Sequence, residues 1–365
     1  MTDRDDRSEE RKEDSIRAEL AAAAVSGEIS EHDRQQPTPL QRVQRVLHRY
    51  PALGPLFVLL MMLIAFSFMS ERFLQPFNMS LIIQQVTVVG TLAIGQTIII
   101  LTAGIDLSVG AITVFVSVIM AKLSADYGIP GFAAIFVGFT FGTACGLLNG
   151  LLITRLRLPP FIVTLGTLSI FFALNLYVSG STTIRGRDMD PLLTALAGGG
   201  GTIQLPLVDT PIPFASLGML VMYGIMAYVL RYTAWGRHIY ATGDDPEATR
   251  LTGIRVDRVL LSVYAVAGLI YAVGAWFLIG RIGAASPQVG LSYNLDTITA
   301  VVIGGTSLFG GRGVVVGTLI GAVIVGMARN GLSLAGFDPL WQDFTIGVLV
   351  IVAVTLDQWI RRVSA

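Results

Sequence analysis

The sequence predicts an all-α, polytopic membrane protein of about ten transmembrane helices, some of them glycine-broken or re-entrant. Three observations carry this. The 365 residues are 53% hydrophobic and only 14% charged, whereas soluble domains carry about 25% charge. The charge is segregated: residues 1–50 hold 11 of the 25 Asp/Glu and 9 of the 25 Lys/Arg. Long apolar runs recur through the rest, and roughly 20 such residues cross a ~30 Å hydrocarbon core as a helix. The chain therefore divides into a charged, disordered cytoplasmic tail (1–45) and a transmembrane domain (46–365). The zero formal net charge hides that division.

The elements follow in order. The tail opens "MTDRDDRSEERKEDSIRAEL". It has no apolar core before a small-residue cleavage site, so it does not read as a signal peptide. It reads as solvated chain, with Ala, Glu and Arg favouring a short helix over 7–25. Candidate spans lie at 52–69, 81–102, 107–123, 131–153, 160–178, 212–230, 259–280, 296–308, 313–328 and 341–359. The span at 296–308 is short and glycine-ended, which suits a half-helix or re-entrant segment. Pro159 and Pro160 open the span at 160, where a missing N–H costs little. Trp341 and Trp359 bracket the last span as interfacial anchors would. With both termini cytoplasmic, thirteen Lys/Arg flank the inside ends of the spans and six the outside ends, as the positive-inside rule requires. Two hydrophilic loops remain: 179–211 outside and 231–258 inside. In the outer loop, Arg185, Arg187, Asp188 and Asp190 either pair with a partner or are simply solvated.

Several chemistries are excluded or unsupported. Lys12 and Lys122 are the only lysines, and neither sits in the G-x-x-x-x-G-K-[ST] pattern of a phosphate-binding loop. Cys145 is alone, so no intrachain disulfide is possible, and it reads as small-residue packing. His32, His48 and His238 lie outside the apolar runs, against an intramembrane metal site or proton relay. Ion-coupled carriers bury several ionisable groups, but here only Asp106 and Asp296 approach membrane depth. No catalytic, cofactor-binding or metal-ligating set is expected. The body is built to move something, with energy supplied from elsewhere.

Within the inside loop, "GDDPEATRLTGI" (243–254) specifies a two-turn helix. Asp245 caps it, Pro246 suits the first position, Glu247 favours the positive N-terminal end, and Gly253 suits the left-handed stop. A helix this short is marginal alone, so it docks on a partner, on this protein or on the membrane surface.

"EATRLTG" (247–253) resembles the E-A-A-x-x-x-G motif of ABC importer permeases, with Thr249 in place of the second alanine. "ILTAGIDLSVGAI" (100–112), "LPPFIVTLGTLSI" (158–170), "WGRHIYATGDDPEATRLTGI" (235–254) and "AVVIGGTSLFGGRGVVVGTLIGAVIVG" (300–326) look like the monosaccharide branch of that family, the ribose, xylose, arabinose, galactose and fructose type. The resemblance covers roughly residues 50–360. It implies an ATP-driven importer in the bacterial inner membrane. It implies a second permease copy, or a paralogous permease, and a cytoplasmic ABC ATPase that holds the ATP and Mg. It also implies an extracytoplasmic sugar-binding protein, a monosaccharide substrate and membrane lipid around the spans, with no nucleic-acid partner. The coupling residues carried over are Asp245, Pro246, Glu247, Ala248, Thr249 and Gly253. The motifs lean towards fructose without separating it from ribose or xylose.

A neutral sugar needs hydrogen-bond partners rather than a charged cradle. Candidate path residues are Gln84, Gln85, Gln96, Asp106, Ser108, Asn149, Thr164, Thr306 and Ser307. Each has an alternative role in helix packing or interhelical hydrogen bonding. Asp106 reads as a cap for the third span, accepting from Ser108 or Val109, as a path residue, or as both. "GIDLSVG" (104–110) and "GTSLFGG" (305–311) share Gly, Leu and Gly at matching positions, an internal echo that glycine-rich sequence also produces by chance. A self-sufficient carrier or channel for small polar solutes is the alternative; a membrane-embedded enzyme lacks its catalytic cluster.

Overall fold

The computed structural model describes residues 53–196, 201–205 and 210–362. The expected tail, with its helix over 7–25, lies outside the described residues. Ten helices stand where ten spans were predicted: α1 (Leu53–Met69), α2 (Pro76–Leu101), α3 (Val109–Ala125), α4 (Gly131–Leu156), α5 (Pro160–Ser179), α7 (Phe214–Tyr232), α10 (Val256–Ile282), α11 (Leu291–Ile303), α12 (Val315–Leu334) and α13 (Pro339–Arg362). Between them lie α6 (Pro191–Thr194), α8 (Ala234–Asp244) and α9 (Pro246–Leu251). Among the described residues six helices are long and apolar enough to cross a membrane: α2, α4, α5, α7, α10 and α12. α1, α3 and part of α13 are shorter apolar stretches. The 13 residues of α11 fit the half-helix expected there.

Helix ends follow local chemistry. Pro160 occupies the first turn of α5 after Pro159, as predicted. α4 ends where Arg157 takes the left-handed conformation (φ 55°) ahead of that proline pair. Asp106 does not open α3. Its Oδ1 accepts from the Ser108 backbone N–H at 2.7 Å and the Ser108 hydroxyl at 2.6 Å, but Ser108 is the capping position and the helix starts at Val109. The break before it begins at Ala103, at φ 59°. Trp341 is exposed; the Trp359 side chain lies outside the described residues.

α2 is the axis of the bundle, with every residue from Val86 to Leu101 buried. A helix apolar all round suits such a position. Lipid tails are as apolar as leucine, so membrane helices associate through close packing and polar contacts. α4 shows how. Gly138, Gly142, Gly146 and Gly150 recur every four residues and so share one face. A Cβ at Gly146 would lie 2.1 Å from the Tyr264 carbonyl oxygen, and one at Gly142 would lie 2.7 Å from that of Gly268. α4 and α10 therefore meet backbone to backbone.

The predicted outer loop is not featureless. β1 (Ile184–Arg185) pairs antiparallel with β4 (Ala284–Ala285) at the end of α10. β2 (Thr202–Leu205) and β3 (Thr210–Pro213) form an antiparallel pair, and the Ser80 hydroxyl donates to the Pro211 carbonyl at 2.5 Å. Asp190 is committed internally. It accepts from Gly131 N at 2.9 Å and Leu192 N at 2.9 Å, while Ser124 Oγ accepts from the Asp190 N–H at 2.8 Å. Those two amides hold its carboxyl below the usual carboxylate range.

Candidate functional site

The 243–254 segment folds as its residues dictate. Asp245 Oδ1 accepts from Glu247 N at 2.9 Å and Ala248 N at 3.0 Å. Pro246 fills the first turn and Gly253 takes φ 87° just beyond the end. Thr249, the departure from the family pattern, is buried. Its hydroxyl sits 2.8 Å from the Ala241 carbonyl and 2.7 Å from that of Asp245, which ties α9 back onto α8. The opposite face is open. Among the described residues Glu247 pairs only with Arg250, at 2.5 Å, and its side chain is 78% exposed. Leu251 is 89% exposed.

α8 was not foreseen. Thr233 caps it by accepting from Gly236 N, and buried Gly236 and Ile239 seat it on the bundle. Its far end places Gly243 against both helix breaks. A Cβ at Gly243 would lie 1.8 Å from the Leu101 carbonyl oxygen and 2.6 Å from Gly311 N. Gly311 N itself donates to Leu101 O at 3.0 Å. Gly310 and Gly311 adopt φ 84° and 68°, a left-handed geometry that only glycine takes freely. The Tyr240 hydroxyl adds a 2.9 Å bond to the Gly313 carbonyl. Leu101 and Ala103, just before the first echoed segment, thus meet Gly310 and Gly311 of the second at the end of α8 that leads into α9.

Five predicted path residues gather at the first break. Ser108 Oγ accepts from Asn149 Nδ2 at 2.9 Å. Thr164 Oγ1 accepts from Leu107 N at 3.1 Å and donates to Ile105 O at 3.0 Å. Gln96 Oε1 accepts from the Tyr271 hydroxyl at 3.4 Å, and the same hydroxyl faces Asp106. Gln96, Asp106, Ser108, Asn149 and Thr164 are each at most 1% exposed. Yet Gln96 Nε2, Asn149 Oδ1 and the Tyr264 hydroxyl are buried without a protein partner. Unpaired buried polar groups are costly, so this cluster is set up to take in water or a hydroxylated guest. Thr306 and Ser307 are buried in the second break. Gln84 and Gln85 stand apart, in the half of α2 away from α8–α9; Gln84 donates to Ser80 Oγ at 3.3 Å.

Sequence reasoning missed Tyr264 and Tyr271, whose α10 positions carry no local signature. It also missed the reciprocal Asn78–Asn330 amide pair, at 2.9 and 2.8 Å. Asp296, noted only for its depth, is bound by Arg329, 33 residues away: Nε lies 3.1 and 3.0 Å from its two oxygens and Nη2 lies 2.7 Å from Oδ1. Among the described residues no group of His, Cys, Asp and Glu could hold a metal ion.

The family described as "branched-chain amino acid transport system / permease component" matches residues 78–354, the stretch that contains both breaks and α9. The chain belongs to this family. It is a multi-pass membrane permease, a transport subunit. The permease is 46% identical to the fructose import permease protein FrcC of Rhizobium meliloti over 348 residues, 95% of this chain and 96% of that protein. It is 38% identical to the ribose import permease protein RbsC of Bacillus subtilis (strain 168), over 84% of this chain and 92% of that one. It is 34% identical to the galactose/methyl galactoside import permease protein MglC of Escherichia coli (strain K12), over 83% and 93%. No solved structure matches the permease.

Proposed function

We propose that the permease is the membrane subunit of an ATP-driven monosaccharide importer and that α9 couples it to a separate ATPase. The observation that carries the coupling role is the construction of α9. It is capped at both ends, anchored through buried Thr249, and presents Glu247, Ala248 and an 89% exposed Leu251 outward. Leaving a leucine in water costs about 1.5–3 kcal/mol relative to burial, so that face is built to be covered. The junction beneath it reaches both helix breaks, giving a push on α9 a short rigid route into the membrane.

On this reading two copies, or one copy and a paralogue, sit in a bacterial inner membrane with both termini in the cytoplasm. The partner ATPase holds ATP and Mg, and an extracytoplasmic binding protein delivers the sugar. The relatives named for fructose, ribose and galactose support a monosaccharide, and the 46% identity to the fructose permease favours fructose. The polar cluster around Gln96, Asp106, Ser108, Asn149 and Thr164 is the inner part of the path, closed in this conformation, with Thr306 and Ser307 at the second break.

The test is reconstitution with the ATPase and the sugar-loaded binding protein. Glu247→Ala and Gly253→Val are expected to abolish sugar-stimulated ATP hydrolysis while the permease still purifies as a folded species. Wild-type stimulation in both variants would refute the coupling role. Sugar uptake by the permease alone would favour the self-sufficient carrier.

A further inference from the structure

The half of the bundle away from α8–α9 holds a cavity of about 160 Å³, lined from four helices by polar side chains together with Val89, Val325 and Gly326. Gln85 comes from α2, Arg281 from the end of α10, Ser292, Tyr293 and Asp296 from α11, and Arg329 from α12. We propose that this cavity is a monosaccharide subsite, the first stop inside the permease. The inference rests on the importer reading above and adds a location and a recognition chemistry to it.

The buried ion pair in the wall is already satisfied. Arg329 spends three hydrogen bonds on Asp296 and one, at 3.0 Å, on Asp343. Arg281 also lines the cavity, and its guanidinium N–H groups can donate to sugar hydroxyls. Arg329 and Asp296 hold each other, so neither is free to take a charged ligand. What remains open suits hydroxyl groups. Gln85 Oε1 is buried without a partner, so it lacks a donor. Ser292 is exposed on the cavity wall, and its hydroxyl both donates and accepts. Tyr293 lines the cavity beside Arg281. An apolar guest would leave these groups unpaired, which is costly.

The position suits a path. Gln85 and Gln96 are eleven residues apart on α2, close to three full turns and about 16 Å. They therefore lie on the same side of that helix, one open to a cavity and one sealed within the inner cluster.

The test uses thiol protection in the assembled transporter in proteoliposomes. Cys145 is buried and is the only cysteine, so Ser292→Cys adds a single accessible thiol of nearly native shape. Millimolar fructose, or ribose or galactose, is expected to slow its modification by a small methanethiosulfonate reagent at least threefold. Glycine betaine at equal concentration is expected not to. Adding Gln85→Leu should raise the fructose concentration needed for half-protection about tenfold, and Gln85→Leu alone should raise the KM of uptake more than it lowers kcat. If none of the three sugars protects while Ser292→Cys still transports, the subsite is wrong and the importer reading stands. Equal protection by betaine would also overturn the subsite. Failure of unmodified transporter to take up any of the three sugars would instead sink the importer reading, and this inference with it.

Discussion

The two ends of the permease are held together in opposite ways. At the α8–α9 end, Gly243, Leu101 and Gly311 meet through bare backbone. At the other end, Arg329 meets Asp296 and Asp343 through side chains, and Arg329 and Asp296 line a cavity. Backbone has no rotamers, so a junction made of it moves as a unit. Side chains have several staggered states and can re-pair around a guest. On the proposed reading, rigidity lies where movement is passed on and adaptability where a ligand is held.

The sharpest way to break the contrast is Gly243→Val. The first atom added would lie 1.8 Å from the Leu101 carbonyl, and no rotamer change relieves that. Overpacking typically costs about 1–3 kcal/mol, and here both breaks shift with it. Stimulated ATP hydrolysis should fall by about tenfold or more, since ~1.4 kcal/mol of lost coupling is already a factor of ten. Unchanged stimulation would deny the junction a role in transmission.

At the opposite end, Asp296→Ala strips Arg329 of its main partner. Breaking a buried pair costs about 3–5 kcal/mol. The lower end of that range is expected, because Asp343 remains within 3.0 Å. Thermal unfolding in detergent should report it. The double variant Asp296→Ala with Arg329→Met removes the stranded charge and should recover most of the loss. A double variant worse than the single would show that more than charge pairing is at stake.

A smaller effect is expected from Asp245→Ala, which deletes two capping bonds worth about 1 kcal/mol together. The half-maximal ATPase concentration for stimulation should rise severalfold without a change in the folded bundle. The smallest is a pH effect at Asp190. Its carboxyl titrates below its unfolded value of about 3.9. Its contribution is therefore complete above that value and is lost as pH falls from about 4 through the lower native value. Proteolysis of the 179–213 segment should speed up over that window in wild type and not in Asp190→Ala.

The legible parts were those with local rules. Hydropathy located the ten helices of the predicted spans to within several residues, and the caps of α9 were readable from Asp245, Pro246 and Gly253. α8 escaped because "AWGRHIYATGD" has two glycines and little apolar character; contact of Gly236 and Ile239 with the bundle makes it helical. The four-residue glycine spacing from Gly138 to Gly150 was visible and does predict close helix approach, but not which helix approaches. Asp106 looked like a helix cap, and the helix began two residues later because Ser108 takes that place.

The sequence by itself determined the spans, the two glycine breaks, the capped helix α9 and the absence of a phosphate-binding loop, because these depend on composition and on neighbours within one or two turns. Only the tertiary structure decided that Gly243 would sit on both breaks, that Asp296 would find Arg329, and that Gln85 would face a cavity while Gln96 was sealed. Those outcomes join residues tens to hundreds of positions apart, and nothing local in a chain records which of its distant faces will touch.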